Sequence, residues 1–347
     1  MLTDELDYDL PPELIAQHPV YPRDHSRLLV YDRGTDAITH RSLPDLLAYL
    51  DPGDALVYND SRVLMARVAA VRPTGGRTEL LFLRRRHPRV WEALARPSAR
   101  LREGMSLSLE QSIPLVKGIE ARDIFTLMEN LGGGRWLVEN RSGKPMEELL
   151  EEVGRAPLPP YIREELGDPG RYQTVYAREH GSAAAPTAGL HFTPELIASI
   201  EGAGVAVLPL TLHVGLDTFR PVAEHDLELH EIHREYYRVP AATRDGVESA
   251  RAAGGKVVAV GTTTVRGLET VFQDPGAPLE GDTSLFILPG FRFRAVDALM
   301  TNFHLPRSTL LALVMAFAGV AETRRLYSEA IRQSYRFYSF GDAMLML

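Results

Sequence analysis

Between Val63 and about Arg155, short strand-like runs replace the alternation of strands and helices that characterises the rest of the chain. Strands at this spacing, punctuated by Gly and Pro, predict a small antiparallel barrel or sandwich. We therefore divide the chain into an α/β body, residues 1–62 and 156–347, and an inserted β domain, residues 63–155. The strand-like runs are Arg77–Leu83, Val90–Ala95, Ser106–Leu109 and Arg135–Val138.

The α/β body contains apolar strands that alternate with helices, a pattern that predicts a layered α/β fold. Lys256–Val260 (KVVAV) is uniformly apolar after its lysine, which favours a strand buried on both faces of a parallel or mixed sheet. The remaining predicted strands are Ser26–Tyr31, Asp54–Tyr58, Val205–His213, Ser284–Leu288 and Ala343–Leu347. The predicted helices are Ser42–Tyr49, Lys144–Val153, Val265–Phe272 and Thr309–Val320.

The composition excludes several classes of protein. The chain has no cysteine, so it has no disulfides, no thiolate catalysis and no cysteine-bound metal. Its N-terminus lacks an export signal, and its longest apolar run, Thr309–Val320, has 12 residues, whereas a membrane helix needs about 20. We therefore expect a cytoplasmic protein with no membrane partner.

Positive charge is concentrated in the inserted domain. The whole chain carries a net charge of −8, yet Ser61–Gly104 contains eleven arginines against three glutamates, a net charge of +8. Such a local excess is typical of a face that contacts phosphates. Arg84, Arg85 and Arg86 form its densest cluster, and we expect them to bind nucleic acid.

The stretch from His180 to Phe192, HGSAAAPTAGLHF, fits neither a long helix nor a strand, because Pro186 and Gly189 interrupt it. Small residues allow close backbone approach, either to a ligand or to a neighbouring element. Thr187 and His191 are its chemically useful side chains. The stretch is therefore either a binding surface or tight packing.

Polar residues follow several predicted strands, where ligands bind in open α/β sheets. Gly261-Thr262-Thr263-Thr264 leads from a strand into a helix that carries Arg266, and such a turn is either an anion site or a plain helix cap. Asn59-Asp60-Ser61-Arg62 is either a ligand-binding strand end or a capped turn. The remaining candidates at strand ends are His213, Gly215, Asn302 and His304.

His230 and His233 precede Glu235 in an HxxHxE pattern that raises the possibility of a metal site. The spacing differs from HExxH, which places two histidines on one helix face, so we expect no bound metal. Proton transfer or hydrogen bonding to a polar ligand is the better use of such histidines.

Taken in order along the whole chain, these segments resemble the S-adenosylmethionine:tRNA ribosyltransferase-isomerase family of queuosine biosynthesis. The motifs that carry the resemblance are DYDLPPELIAQHP, YNDSRV, PLPPYIR, RYQTVYA, GSAAAPTAGLHF, LTLHVGLDTFRPV, HEIHREYY, AVGTTTVRGLE, TNFHLPRSTLL and YRFYSFGDAMLML. The chain departs from the family pattern at Asp217, in place of Gly, and at Leu229 and Ile232, in place of an acid and Met.

The resemblance implies an α/β body with an inserted β-barrel. It also implies transfer and isomerisation of the ribosyl group of S-adenosylmethionine onto 7-aminomethyl-7-deazaguanine at the wobble position of tRNA. The products would be epoxyqueuosine-modified tRNA, adenine and methionine. S-adenosylmethionine would be a consumed substrate, so we expect no resident cofactor, and we expect a monomer.

This chemistry needs a general base for the ribose 5′ carbon, an arginine for the methionyl carboxylate, and polar groups for the ribose. We expect His191 or His213 to be the base and Arg62 or Arg266 to hold the carboxylate. Thr262, Thr263 and Asn302 would contact the ribose or the base. The other expected substrate-binding residues are Asp60, Ser61, Thr187, Gly189, Gly215 and His304.

Three other classes of function remain open at this point. A metal-dependent hydrolase would use His230 and His233. A non-catalytic tRNA-binding protein would need only the arginine-rich face. An ordinary methyltransferase would release S-adenosylhomocysteine instead of adenine and methionine.

Overall fold

A computed structural model describes residues 1–110, 122–164, 166–215 and 222–347 of the chain; Asp217 lies outside the described residues. The chain divides into two compact units. The larger unit consists of residues 1–62, 159–179 and 185–347, and the smaller unit of residues 63–158 and 180–184. Two short strands, β4 (Ser61–Val63) and β11 (Glu179–Ser182), each span a point where the chain passes from one unit to the other.

The larger unit is built on a nine-stranded mixed sheet, in the order β15-β13-β12-β3-β14-β16-β17-β1-β2. This confirms the predicted α/β class with a mixed sheet. The strands of this sheet are β1 (Arg27–Asp32), β2 (Ala37–Ser42), β3 (Ala55–Asn59), β12 (Ala206–Leu212), β13 (Glu235–Arg238), β14 (Val257–Val260), β15 (Glu280–Thr283), β16 (Ala298–Asn302) and β17 (Ala343–Met346).

Strands β12, β3, β14 and β16 are neighbours and run parallel, so their carboxyl ends meet at one edge of the sheet. Every residue of β3 and β14 is buried, as the apolar runs predict for strands covered on both faces. The chain places β12 on one side of β3 and β14 on the other. Such a reversal of strand order opens a crevice beyond the carboxyl ends.

The helices are α1 (Met146–Val153), α2 (Pro194–Gly202), α3 (Ala241–Ala252), α4 (Thr262–Phe272), α5 (Thr309–Ala318) and α6 (Val320–Arg332). Helix α4 begins at Thr262, three residues before the predicted start, because Gly261 adopts a φ of 91° and ends the strand there. Gly319, with a φ of 101°, separates α5 from α6. The predicted helix Ser42–Tyr49 is a 3-10 helix, Leu43–Tyr49.

The predicted strand at Ser284–Leu288 is wrong. The strand β15 lies just before it, at Glu280–Thr283, and pairs with β13 at the edge of the sheet. Phe286 and Ile287 instead line a cavity together with residues of α5.

The smaller unit is a closed six-stranded antiparallel barrel, in the order β10-β7-β6-β5-β8-β9. The predicted barrel is therefore confirmed. Side chains alternate along β6 from Thr78 to Phe82, and the inward residues pack with Trp91 and Trp136 in the barrel core. The strands are β5 (Arg67–Val71), β6 (Arg77–His87), β7 (Val90–Arg96), β8 (Ser106–Leu109), β9 (Phe125–Gly132) and β10 (Arg135–Asn140).

Among the described residues, every helix is too short or too polar to cross a lipid bilayer.

Glu269 fixes the loop that enters β16. This carboxylate is fully buried on α4, and it accepts hydrogen bonds from the backbone N–H groups of Arg294 (2.9 Å), Ala295 (3.0 Å) and Val296 (3.1 Å). A buried charge is tolerated where several donors converge on it. Glu269 therefore sets the position of β16 relative to α4.

We expect Glu269→Gln to lower the free energy of unfolding of the larger unit by about 1–3 kcal/mol, because an amide loses charge-assisted acceptor capacity facing these donors. Urea unfolding followed by circular dichroism measures the change. Glu248→Gln on α3, whose side chain is 60% exposed, is the matched control and should change stability little. Equal effects of the two substitutions would contradict this role for Glu269.

Candidate active site

Asn59 joins three elements at the carboxyl edge of the sheet. Its Nδ2 donates to the carbonyl of Leu212 (2.9 Å) and to Oγ1 of Thr263 (3.2 Å). Its Oδ1 accepts from the backbone N–H groups of Leu212 and Ser61, both at 3.0 Å. A fully buried carboxamide thus uses both its donors and its acceptor to hold the end of β12, the chain after β3 and the start of α4.

Asp60 follows β3 and is 6% exposed. Its Oδ1 accepts a hydrogen bond from Oγ1 of Thr211 at 2.7 Å. Burial raises the pKa of Asp60, and the hydrogen bond from Thr211 opposes this only in part. Asp60 is therefore a carboxyl group that binds a proton more tightly than usual. It lies at the end of β3, where the YNDSR motif predicted polar residues. Ser61 is fully buried beside it, and Arg62 is half-buried.

The amino end of α4 lies at the same edge. Thr262 and Thr263 are 4% and 9% exposed, and Thr264 Oγ1 donates to the carbonyl of Val260 at 2.7 Å. A Cβ on Gly261 would lie 3.4 Å from Cβ of Ala188, so the GTTT turn packs closely on the small-residue stretch. The structure therefore brings these two predicted segments together.

A chain of hydrogen bonds runs from Thr187 through the end of β16 to His191. Thr187 Oγ1 donates to Asn302 Oδ1 (2.8 Å), and Asn302 Nδ2 donates to His191 Nε2 (3.1 Å). His191 Nδ1 then donates to Ser26 Oγ (2.8 Å), which donates to the carbonyl of Arg23 (3.2 Å). Each group in this chain acts as a defined hydrogen-bond donor or acceptor, so the orientation of the Asn302 amide is fixed.

His191 is 5% exposed, and both its ring nitrogens take part in this chain. Burial, together with the cations Arg336 and Arg23, lowers the pKa of His191 to about 4. The imidazole is therefore neutral at pH 7. Its surroundings suit a residue that orients Asn302.

Gly189 lies in the 3-10 helix Thr187–His191. A Cβ there would overlap the hydroxyl of Tyr176 and lie 2.9 Å from Cγ2 of Thr174. Because Gly189 has no side chain, Tyr176 fits against it. This contact agrees with tight packing, one of the two interpretations of the small-residue stretch. Its predicted role in substrate binding stays a prediction.

His213 follows β12 and is half-buried. Its ring stacks on Tyr236 of β13, with 5.2 Å between the ring centroids and 23° between the planes. Its backbone N–H donates to the carbonyl of Tyr236 at 2.9 Å. His213 is therefore held in place at the edge of the sheet.

Arg266 and Glu235 form a buried ion pair next to this segment, with side chains 9% and 4% exposed. Glu235 Oε2 accepts from Arg266 Nη1, and Glu235 Oε1 accepts from the backbone N–H of Gly215 at 2.8 Å. The pair thus connects α4 to the chain just after His213.

His304 is buried within the fold. Its Nε2 lies 2.9 Å from Thr301 Oγ1, and its backbone N–H donates to the hydroxyl of Tyr327 at 2.9 Å. Burial lowers the pKa of His304 to about 3, so this ring is neutral at pH 7. These contacts give it a packing role, and its part in substrate binding stays a prediction.

His230 and His233 have different surroundings. His230 Nδ1 lies 2.8 Å from Glu224 Oε2, whereas His233 is exposed. Within the described ranges, no group of three or more His, Asp or Glu side chains could hold a metal ion.

The predicted arginine cluster lies on β6 of the barrel, and a buried glutamate on β7 organises it. Glu92, with 3% of its side chain exposed, accepts from Arg84 Nε (2.9 Å) and Arg86 Nη2 (2.6 Å). Arg135 Nη1 lies 3.6 Å from its other oxygen. Burial opposes ionisation, but hydrogen bonds from Arg84 and Arg86 hold the pKa of Glu92 below its usual value. Three cations around one anion leave a positive surface.

Three residues of the site escape prediction from the sequence. The sequence places Ser26 only in a strand, and nothing in its neighbourhood indicates a partner 165 residues away. The sequence suggests Glu235 only as part of a metal pattern, and it gives Tyr236 no role. In the structure Glu235 occupies a buried position of β13, a strand whose residues alternate between buried and half-buried.

Comparison with known proteins places these features in a family context. A family model described as Queuosine biosynthesis protein matches residues 3–346. The chain is 54% identical over 347 residues to the S-adenosylmethionine:tRNA ribosyltransferase-isomerase of Rubrobacter xylanophilus, covering 100% of this chain and 98% of the relative. It is 51% identical over 350 residues to the protein of the same name from Symbiobacterium thermophilum, covering 100% of both.

A solved structure is also similar. The crystal structure of an S-adenosylmethionine tRNA ribosyltransferase from Thermotoga maritima superposes with a TM-score of 0.55 at 37% identity, covering 99% of this chain and 100% of that one.

We expect Asn59→Asp to disrupt the edge of the sheet, because a carboxylate has no N–H to donate and would face the Leu212 carbonyl and Thr263 Oγ1. Leaving buried groups unpaired costs about 1–3 kcal/mol each, so the midpoint of thermal unfolding should fall. Asn130→Asp, on an exposed position of β9, is the isosteric control. An unchanged melting temperature for Asn59→Asp would rule out this role.

Proposed function

The chain belongs to the queuosine biosynthesis protein family, and we propose that it is an S-adenosylmethionine:tRNA ribosyltransferase-isomerase. The family resemblance of its ordered motifs is confirmed. The observation that carries the proposal is the full-length match to enzymes of this name, at 45–54% identity. The enzyme transfers and isomerises the ribosyl group of S-adenosylmethionine onto 7-aminomethyl-7-deazaguanine at the wobble position of tRNA, and releases adenine and methionine.

The reaction starts at the ribose. The sulfonium increases the acidity of the protons on the 5′ carbon, so a general base positioned there removes one. Adenine leaves more easily when a ring nitrogen is protonated, and the acceptor amine attacks only after it has lost its own proton. The site must therefore supply a base and polar contacts for the ribose, and it must do so in a largely dry environment.

His213 is the base in this assignment, and its place at the end of β12, with its ring stacked on Tyr236, supports that role. The surroundings of His191 favour a different one, because both its nitrogens are already hydrogen-bonded and its pKa is about 4. His191 instead orients the Asn302 amide, which contacts the ribose or the adenine. Thr262 and Thr263, at the start of α4, supply further polar contacts.

The test measures adenine released from S-adenosylmethionine with tRNA that carries 7-aminomethyl-7-deazaguanine. We expect His213→Asn to reduce kcat by about 10²–10⁴-fold, the usual loss for a missing general base, and to remove the acidic limb of the pH–rate profile. His191→Asn should reduce kcat while leaving that limb in place, because it disturbs only the orientation of Asn302.

The control is His225→Asn, which changes an exposed histidine of the same unit. Near-normal turnover of His213→Asn with the wild-type pH profile would refute the assignment of the base. S-adenosylhomocysteine in place of adenine would indicate a methyltransferase, and no turnover with any tRNA would support a binding protein.

The arginines of β6 contact tRNA phosphates in this proposal. Side-chain exposures of 60%, 54% and 40% leave Arg84, Arg85 and Arg86 accessible. Their combined charge exceeds that of Glu92 and of Glu147, whose Oε1 lies 3.9 Å from Arg85 Nη1, and the excess favours a polyanion. Queuosine-type recognition also requires unstacked anticodon bases, which proteins read by stacking and hydrogen bonding.

Replacing Arg84, Arg85 and Arg86 together by Gln should weaken tRNA binding and reduce the slope of log Kd against log salt by about 1–3, because each arginine that pairs with a phosphate adds roughly one unit to the slope. Filter binding between 50 and 200 mM salt, a range of about fourfold, measures the slope.

The matched control removes the same charge from the larger unit, at Arg244, Arg251 and Arg332. Equal slopes for the two triple variants would mean that the β6 arginines contribute only net charge. A cytoplasmic location, a monomeric state and the lack of a resident cofactor stay predictions.

A further inference from the structure

The loop that precedes β1 lies at the same edge of the sheet as the crevice. Strand β1 is parallel to β17, and β17 is antiparallel to β16, so the start of β1 lies at the edge where β16 ends. The hydrogen-bond chain through Asn302 and His191 reaches this loop, because Ser26 Oγ donates to the carbonyl of Arg23. Tyr21 is two residues before Arg23, at most about 7 Å further along the chain.

Tyr21 is 84% exposed, more than any other large hydrophobic side chain in the part of the chain that the structure describes. The guanidinium carbon of Arg171 lies 5.6 Å from the centroid of its ring, a distance at which a cation is attracted to an aromatic face. Arg171 Nη2 also donates to the carbonyl of Val20, the residue before Tyr21. The ring and the guanidinium are therefore held beside each other while most of the ring faces solvent.

Arg23 and Arg171 place two positive charges close together in this region. Arg23 Nη2 donates to the carbonyl of Gly170 at 3.1 Å, and so holds the 3-10 helix Pro169–Tyr172 that carries Arg171. Burial and the charge of Arg171 lower the pKa of Arg23, and the carboxylate of Asp168 opposes this in part. The two cations exceed the charge of Asp168, so a phosphate placed beside them would relieve their repulsion.

An exposed aromatic ring beside two cations fits an unpaired nucleotide. Unpaired bases stack on tyrosine rings, and their phosphates pair with guanidinium groups. A base inside a double helix does not fit, because its neighbours already cover both of its faces. A small inorganic anion would use the arginines but not the ring. The combination therefore favours single-stranded nucleic acid.

We propose that Tyr21 and Arg171 form a stacking surface for the unpaired anticodon-loop nucleotide next to the wobble nucleotide. This proposal rests on the proposed function, which supplies the RNA and the position of its modified base. The wobble base must leave its stack to enter the crevice, and this removes a stacking partner from its neighbour. The ring of Tyr21 replaces that partner, and Arg171 pairs with the adjoining phosphate.

The test measures, by fluorescence anisotropy, binding of the full chain to an anticodon stem-loop RNA that carries 7-aminomethyl-7-deazaguanine at the wobble position. We expect Tyr21→Ala to raise Kd about 5–150-fold, the equivalent of about 1–3 kcal/mol for one stacked base. The slope of log Kd against log salt should not change, because the ring carries no charge. Tyr21→Phe should bind as the wild type does, since stacking needs the ring and not the hydroxyl.

Two further RNAs, each lacking the base on one side of the wobble nucleotide, identify the stacked neighbour. At one of these two positions, loss of the base should weaken binding about as much as Tyr21→Ala does, and the two changes together should cost nothing more. Arg171→Gln should instead lower the salt slope by about one unit. Leu2→Ala, which removes a side chain of the same unit that is 46% exposed, is the control and should bind normally.

Unchanged affinity of Tyr21→Ala would overturn the proposal, as would losses that add with both abasic RNAs, because the ring would then contact neither neighbour. An unchanged salt slope for Arg171→Gln would remove the phosphate contact. Adenine release by the wild type tests the proposed function separately. Normal adenine release without coupling between Tyr21 and either base would eliminate only this surface, whereas coupling without adenine release would eliminate only the proposed reaction.

Discussion

The carboxamide of Asn59 is the interaction on which the rest of the site depends. Parallel strands have their carboxyl ends at the same edge of the sheet, but this does not by itself fix the positions of the loops that follow them. Asn59 does so with four hydrogen bonds, to Leu212, Ser61 and Thr263. Since these are fully buried, each is effectively obligatory, and the positions of Asp60, His213 and α4 become mutually dependent.

Burial then separates the titratable groups of this edge by their proton affinity. His191 and His304 are desolvated and neutral, with pKa values of about 4 and 3, whereas desolvation raises the pKa of Asp60. His213 is half-buried and stacks on Tyr236 at the same edge of the sheet. An enzyme that must remove protons from carbon and from an amine, and protonate a leaving base, benefits from neighbouring groups of unlike basicity.

The sequence predicts the architecture well because hydrophobic periodicity reports burial directly. KVVAV identifies a strand covered on both faces, and the short runs of residues 63–155 indicate a small barrel or sandwich, of which the family resemblance implies the barrel. The prediction at Ser284–Leu288 fails because periodicity does not distinguish a strand from a cavity wall: Phe286 and Ile287 face α5 across a void. Strand ends identify His213 and Asn302 as candidates. They cannot identify Ser26, since its contact with His191 exists only after distant segments have folded together.

Two further residues, Ile232 and Leu229, fit the same separation between packing and chemistry. Ile232 lines the cavity beside Arg266 and contributes apolar surface to its wall. Leu229, in place of an acid, is 73% exposed. A leucine this exposed contributes little to the core. The ion pair of Arg266 and Glu235 therefore does not depend on residue 229, and His230 and His233 add to the polar part of the cavity lining.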